Sequence, residues 1–275
     1  MELTLVWAVA QRELREALRN KWLWFYAAGF AVLAFALAQA GVVSAGYSGL
    51  GGFGRTAASL INAILLFAPL IGLSIGATTL AGERERGTLL YLLAQPVSRA
   101  EVFWGKVLGA SLAVIGALSL GFGVAGLALA SAGGGKPGAY LALAGHTFLL
   151  ALASLGLGFL ISTLTRKAST AMAGALLVWL LLVFVGDLGL MGATAALRPS
   201  PDALLAALLV NPLQIFKLGA IYSLRATLDT LGAAGQYAAY RFGASLPVVL
   251  YGLLVAWIAG SLGLAFALFN RRGDV

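Results

Sequence analysis

Long apolar tracts separated by short charged segments dominate this chain. Six tracts are long enough to cross a bilayer, at about 22–43, 57–80, 107–132, 139–164, 168–190 and 246–269. Among Asp, Glu, Lys and Arg, only Asp187 lies inside them. About 20 apolar residues span the hydrocarbon core as a helix. The pattern predicts an all-α integral membrane protein with six transmembrane helices, forming a single transmembrane domain over residues 1–275.

Composition supports a membrane protein rather than a soluble one. Of the 275 residues, 61% are hydrophobic and only 10% are charged, whereas soluble domains carry about 25% charged residues. The chain has no cysteine, so disulfides and thiolate ligands are excluded. Its net charge of +8 comes from basic residues at the ends of the tracts, where they orient helices and meet anionic lipid.

Residues 1–21 form a different kind of segment. Leu3, Trp7, Leu14 and Leu18 recur at helical spacing with Ala10, and charged residues occupy the other faces. We expect an amphipathic helix lying in the membrane interface.

Basic residues in the connections set the expected orientation. Twelve fall on one side, namely Arg12, Arg15, Arg19, Lys21, Arg84, Arg86, Arg99, Lys106, Arg166, Lys167, Arg271 and Arg272. The short loops on the other side hold only Arg55 and Lys136. The positive-inside rule then places both termini and the loop 81–106 in the cytoplasm, and the loop 191–245 on the outer side, which is the periplasm for a bacterial inner membrane.

The loop 191–245 contains helical patterns of its own. Ser200 and Pro201 start one helix, and Asn211 with Pro212 interrupts it before a second. We expect a helical pair lying on the outer membrane surface. A seventh span over 203–222 is the alternative, which Pro212 and Lys217 oppose.

The segment 81–109, AGERERGTLLYLLAQPVSRAEVFWGKVLG, is the most informative part of the chain. Gly87 permits a bend and Thr88 can cap a short apolar helix. Pro96 stops that helix, and Ser98 with Glu101 has the spacing of a capping box. A loop that merely turned the chain would not need five large apolar residues in a row. We therefore predict a short helix that docks onto a cytosolic partner.

This segment resembles the signature loop of ABC transporter type-2 permeases, and the six spans and the amphipathic first helix fit that family along the whole chain. The resemblance implies a homodimer driven by two cytosolic ATPase subunits, which carry the ATP and Mg. It assigns ATPase coupling to Glu83, Arg84, Glu85, Arg86, Gly87, Thr88, Leu89, Leu90, Tyr91, Leu92, Leu93 and Pro96.

Within this family the chain is most similar to the NosY-like branch. The features are its length, the element NPLQIFK at 211–217 and the ending FNRRGDV. That resemblance implies a role in maturing the copper site of nitrous-oxide reductase. It also implies a periplasmic partner, for which we assign docking to Asn211, Pro212, Phe216, Lys217 and Arg225. Two alternatives stay open: an exporter of drugs, peptides or ions, and a mechanical coupler without a substrate conduit.

Candidate chemistry inside the chain is sparse. No GxxxxGK[ST] phosphate loop is present, and the run Gly133–Lys136 lacks the helix that such a loop needs. No catalytic group and no metal site is predicted. His146 and Asp187 are the intramembrane polar candidates, although a single neutral histidine commonly serves as a hydrogen bond between helices.

Overall fold

The computed structural model describes residues 2–48, 50–131, 137–189, 192, 199–223 and 232–271, and the regular elements in these ranges are all helical. The first seven α-helices are α1 (Leu3–Leu18), α2 (Lys21–Ser48), α3 (Leu50–Glu85), α4 (Thr88–Leu93), α5 (Arg99–Ser131), α6 (Pro137–Leu164) and α7 (Ala168–Phe184). A π-helical turn, Val185–Gly189, extends α7. Then follow α8 (Pro201–Val210), α9 (Pro212–Ser223), α10 (Gly232–Phe242), the 3₁₀ turn Gly243–Ser245 and α11 (Leu246–Arg271).

The membrane-spanning character of the chain is clear from these helices. Within the described ranges, five helices are long and apolar enough to cross a bilayer, and the number rises to seven if each of two bent pairs counts as one span. The pairs are α1 with α2, bent by 67°, and α8 with α9, bent by 106°. The count of six stays a prediction between these limits.

Helices α3 and α6 form the centre of the bundle. Their backbones come so close that a Cβ atom at Gly76 would collide with the carbonyl oxygen of Leu155. Ser162 Oγ accepts hydrogen bonds from the backbone N–H groups of Leu80 and Ala81, at 3.0 and 2.8 Å. Small residues permit this approach, which membrane helices use in place of a hydrophobic driving force.

Pro69 lies inside α3, and α7 compensates for it. Proline has no N–H group, so the carbonyl of Leu65, four residues earlier, loses its usual helical partner. The indole Nε1 of Trp179 on α7 donates to that carbonyl at 3.5 Å. A sequence feature that weakens α3 therefore helps to attach α7 to it.

Helix α1 has three faces. Val6, Val9 and Ala10 are buried against α5. Leu3 and Trp7 belong to the apolar stripe recognised in the sequence, and they are 81% and 51% exposed. Charged residues cover the third face. The exposed apolar stripe is what an interfacial helix presents to lipid, so α1 can lie between protein, membrane and water.

The helical pair α8–α9 departs from the expected arrangement. Ser200 Oγ accepts from the N–H of Ala203, so the predicted cap is confirmed. Helix α9, however, is buried among α3, α6, α7 and α11 instead of lying on the surface. It meets α6 at His146, nine residues or about 13 Å beyond the first residue of α6. The sequence does not predict the buried position of α9, because a largely apolar helix suits the interior of a bundle as well as the surface of a membrane.

The predicted cytoplasmic segments share one end of the bundle. Arg12 of α1 contacts Glu83 of α3 at 3.0 Å. Arg84 reaches the carbonyl of Thr165, just after α6, at 2.5 Å. Arg99 of α5 donates to the carbonyl of Asn270 near the end of α11, at 3.5 Å. The positive-inside pattern thus groups segments that are neighbours in space, while the side of the membrane they face stays a prediction.

Candidate coupling site and the charged junction beneath it

Helix α4 begins where Gly87 turns the chain. Gly87 has φ of +70°, a left-handed conformation that residues with a Cβ atom rarely adopt. Thr88 does not cap α4 as the sequence suggested, because it is the first helical residue and its Oγ1 donates back to the carbonyl of Glu83 at 3.3 Å. The bend predicted at Gly87 is confirmed, and the predicted cap is corrected.

Only part of α4 faces outward. Leu89 and Leu92 are buried in the main hydrophobic core, and Leu93 packs against the same core. Leu90 is 53% exposed and Tyr91 is 78% exposed. The expectation that all five apolar residues face a partner is therefore too broad, since five consecutive residues of a helix, about 100° apart around its axis, cannot all face the same side. Leu90 and Tyr91 form the outward apolar surface of α4.

The start of α5 is fixed by the predicted capping box. The N–H of Ser98 donates to Oε2 of Glu101 at 2.8 Å, and the N–H of Glu101 donates to Oγ of Ser98 at 3.2 Å. Glu101 also accepts from the backbone N–H of Glu2 at 2.6 Å through Oε1. The beginning of α1 is thereby tied to the beginning of α5, next to α4.

Glu83, which we expected to face the ATPase, points into the protein instead. Its carboxylate lies 2.9 Å from Nζ of Lys106 on α5 and 3.0 Å from the guanidinium of Arg12 on α1. Lys106 also contacts Glu13 of α1 at 2.5 Å. The Lys106 and Glu83 side chains are 2% and 1% exposed. Two carboxylates and two cations thus balance one another within a largely buried cluster.

The next two residues of the same run bind other helices. Arg84 donates to the carbonyl oxygens of Ser162 and Thr165 at the end of α6, at 3.2 and 2.5 Å. Glu85 accepts from the N–H of Ala168, the first residue of α7, at 2.9 Å. Both contacts complement the helix dipole, a cation at a C-terminus and an anion at an N-terminus. We call Glu83, Arg84 and Glu85 the charged junction. Arg86 is exposed beside it.

Three carboxylates near the junction could be taken for a cation site. Oxygens of Glu13, Glu16 and Glu83 lie within 4.8 Å of one another. Lys106 and Arg12, however, already bind all three of these carboxylates. Each of the three glutamates is therefore already paired with one of the protein's own cations.

The 211–217 element forms a second polar site at the opposite end of α7. Asn211 Nδ2 donates to the carbonyl of Leu182 at 2.6 Å, and both Gln214 and Lys217 bind Oδ1 of Asp187 at 2.9 Å. Gly186 in the π-turn leaves room for these side chains, because a Cβ atom there would lie 2.5 Å from Nε2 of Gln214. The element therefore attaches the bend between α8 and α9 to α7.

This arrangement changes the expected periplasmic docking surface. Asn211, Pro212 and Phe216 are buried within the subunit, and Lys217 is about one third exposed and paired with Asp187. Arg225 lies outside the described residues, as do Gly133–Lys136 and Met191. A docking role for the element stays a prediction, and of its described members Lys217 is the one a partner can reach.

His146 occupies the contact between α6, α9 and α11. Its Nδ1 lies 2.8 Å from the carbonyl of Ala142, and its ring lies 4.0 Å from that of Tyr251, centre to centre. A Cβ atom at Gly219 would be 2.5 Å from its Nε2. His146 is thus a packing residue between helices in this structure. The hydrogen bond between helices that the sequence suggested is not formed, because Nδ1 bonds a carbonyl of its own helix and the buried Nε2 has no hydrogen-bond partner among the described residues.

Sequence reasoning missed Lys106 and Glu13 as members of a site. A usable signal was present, because Glu13 lies on the same helical face as Val6, Val9 and Ala17, where a charge needs a partner. Gly105 and Gly109 flank Lys106 with the spacing of a close helix contact. A Cβ atom at Gly105 would be 2.6 Å from Cβ of Val9, and one at Gly109 would be 2.7 Å from Cβ of Glu13.

Comparison with known proteins shows which family this chain belongs to. The model of the "ABC-2 family transporter protein" family matches residues 7–273. A relative from Stutzerimonas stutzeri, described as "Probable ABC transporter permease protein NosY", is 35% identical over 277 residues, covering 97% of this chain and 98% of its own length. A relative from Pseudomonas aeruginosa with the same description is 32% identical over 281 residues, with 98% of both chains covered. A helical membrane bundle matched along nearly its whole length identifies this chain as a membrane-spanning permease of the ABC-2 transporter family.

Proposed function

We propose that this chain is a NosY-type permease subunit that works as a homodimer with a separate cytosolic ATPase dimer, and that α4 is its contact with the ATPase. The observation that carries the proposal is the outward surface of α4. Leu90 and Tyr91 are exposed at the end of the bundle that the positive-inside rule assigns to the cytoplasm. Exposed apolar side chains in a short helix outside the membrane favour a protein partner.

The anchoring of α4 supports the same role. Leu89 and Leu92 are buried in the core cluster that also includes residues of α2, α3, α5 and α6. A force applied at Leu90 and Tyr91 would therefore reach the spanning helices through packed side chains rather than being lost in a loose loop. Close packing of this kind transmits displacement.

The test is Leu90→Asp. A charge at the centre of an apolar contact would have to be buried without a partner, which costs several kcal/mol, so the ATPase should no longer copurify with the tagged permease. Gln11→Asp is the control, because it adds the same charge at an exposed position of α1. If the Leu90→Asp variant retains the ATPase at wild-type levels, α4 is not part of the interface with the ATPase.

The NosY-type role is supported by the two relatives, each described as a probable ABC transporter permease protein NosY. In this role the complex supports assembly of the copper site in nitrous-oxide reductase, with ATP and Mg bound by the partner ATPase. Deletion of this permease should give reductase lacking its copper site, restored by the intact chain. Reductase with its full copper content in the deletion strain would favour the exporter alternative instead.

The subunit can act as a conduit or as a mechanical coupler to a periplasmic partner. A coupler should keep ATPase-driven movement of the α8–α10 segment when no small solute crosses the membrane. Reconstitution of the complex in vesicles, with solute flux measured beside that movement, distinguishes the two.

A further inference from the structure

The charged junction, Glu83 to Glu85, lies at the end of α3, and its three side chains point to three different places. Consecutive residues of an α-helix are about 100° apart around the axis, so three in a row spread over most of the circumference. Glu83 meets α1 and α5, Arg84 meets the end of α6, and Glu85 meets the start of α7. The turn formed by Arg86 and Gly87 then joins this position directly to α4.

We propose that the charged junction is the distribution point of the subunit: movement received by α4 is passed separately by Glu83 through Lys106 to α1 and α5, by Arg84 to α6, and by Glu85 to α7. The inference rests on the proposed function, because it presumes that an ATPase moves α4. It gives Glu83, Arg84, Glu85 and Lys106 the role of positioning residues rather than of contacts with the ATPase.

The branch through Lys106 is the most firmly built. Lys106 and the carboxylates of Glu13 and Glu83 are nearly inaccessible to solvent, and Arg12 completes the charge balance from the edge. Gly105 and Gly109 bring α5 against α1 on either side of Lys106. Paired charges held in close packing resist separation, since pulling them apart would leave a buried charge without its partner.

The branch through Glu85 is built differently. Its side chain is exposed, and it makes one hydrogen bond to the backbone of α7. This contact can be removed with little effect on folding, because α7 keeps its core contacts through Ala171 and Ala175. The two branches can therefore be cut one at a time.

The experiment measures movement at the ends of two of the three branches, α5 and α7, in the complete complex with its ATPase. Because the chain has no cysteine, spin labels can be attached at Leu127→Cys on α5 and, in a separate sample, at Leu181→Cys on α7, both exposed apolar positions. Distances between the two copies are recorded without nucleotide and with ATP, Mg and vanadate. In the otherwise unaltered chain we expect nucleotide to change both distances.

Two of the three branches are then cut. Glu85→Ala should abolish the change at α7 and keep the change at α5, and Glu85→Gln, which retains an acceptor oxygen, should restore movement at α7. Glu13→Gln combined with Lys106→Met removes one charge of each sign, and it should abolish the change at α5 and keep that at α7. Lys167→Ala, exposed one residue before Ala168, is the control and should keep both.

The outcomes separate the two proposals. Persistence of both distance changes in Glu85→Ala would overturn the distribution role while leaving the ATPase contact intact. Loss of both changes at once would also overturn it, because the branches would not be separate. If nucleotide changes neither distance in the unaltered complex, or if no ATPase binds, the proposed function itself fails. Glu85→Ala decides the matter even if the double variant does not assemble.

Discussion

Nζ of Lys106 lies 2.5 Å from Oε2 of Glu13, two residues 93 positions apart in the chain, and their side chains are only 2% and 8% exposed. The pair joins the interfacial helix α1 to the spanning helix α5 beside the candidate coupling site. Glu83 and Arg12 complete it to a neutral cluster. Two carboxylates and an ammonium group are buried together here, and this cluster yields the first prediction.

Lys106→Met should destabilise the subunit by about 3–5 kcal/mol, because the Glu13 carboxylate would stay buried without its partner. Adding Glu13→Gln should recover much of the loss, since the double variant has no unpaired charge at that position. Thermal unfolding of the purified protein in detergent measures both. A single variant as stable as the unaltered protein would show that water reaches the cluster.

The close contact of α1 with α5 gives a second prediction. Gly105→Ala should destabilise by about 1–3 kcal/mol, because its Cβ atom would overlap Val9 and overpack the contact. Gly116→Ala on the same helix meets nothing within 4 Å and should be neutral or stabilising by up to about 1 kcal/mol. Equal effects of the two substitutions on thermal unfolding would argue against close packing of α1.

The buried position of α9 gives a third prediction. Gly219→Ala would place a methyl group against His146 and should displace α9, whereas Gly252→Ala on α11 meets nothing within 4 Å. A cysteine introduced at Ala220, which is buried here, should stay unreactive to a water-soluble thiol reagent and become reactive when Gly219→Ala is added. Strong reactivity of Ala220→Cys alone would show that α9 lies on the membrane surface and not inside the bundle.

Orientation is tested by labelling, since the positive-inside rule places 191–245 in the periplasm. Gly232→Cys, at the first residue of α10, and Gly134→Cys, outside the described residues, should both react in intact cells with a reagent that cannot cross the inner membrane. Gln11→Cys on α1 should react only after lysis. The reverse pattern would invert the topology.

Copper handling gives the last prediction. A path across about 30 Å of hydrocarbon needs a series of soft ligands, and this chain has one histidine, three methionines and no cysteine. His146 is moreover packed between helices. Replacing His146, Met172 and Met191 by Gln, Leu and Leu should leave complex assembly, ATPase activity and reductase maturation intact. Loss of copper delivery with assembly and ATPase activity unchanged would show that these residues form a copper path.

Much of the local structure could be read from the sequence, because it depends on residues close together in the chain. The capping box of Ser98 and Glu101, the bend at Gly87 and the cap at Ser200 all involve neighbours. The role of the charged run did not follow in the same way. Glu83, Arg84 and Glu85 suggest a solvent-facing surface until their partners, 23 to 83 positions away, are known.

The sequence alone determined that this chain is a helical membrane protein with a charged loop containing a short apolar helix, because apolar length, basic asymmetry and turn residues are properties of contiguous segments. Only the tertiary structure decided which side of α4 is free, that α9 enters the bundle, and that Lys106 holds α1, α3 and α5 together. The physical reason is that burial of a charge or of a leucine depends on what lies opposite it. The helices of this bundle are almost uniformly apolar. Which of them pack together is therefore determined by small residues, such as Gly105 and Gly219, and by a few buried polar groups.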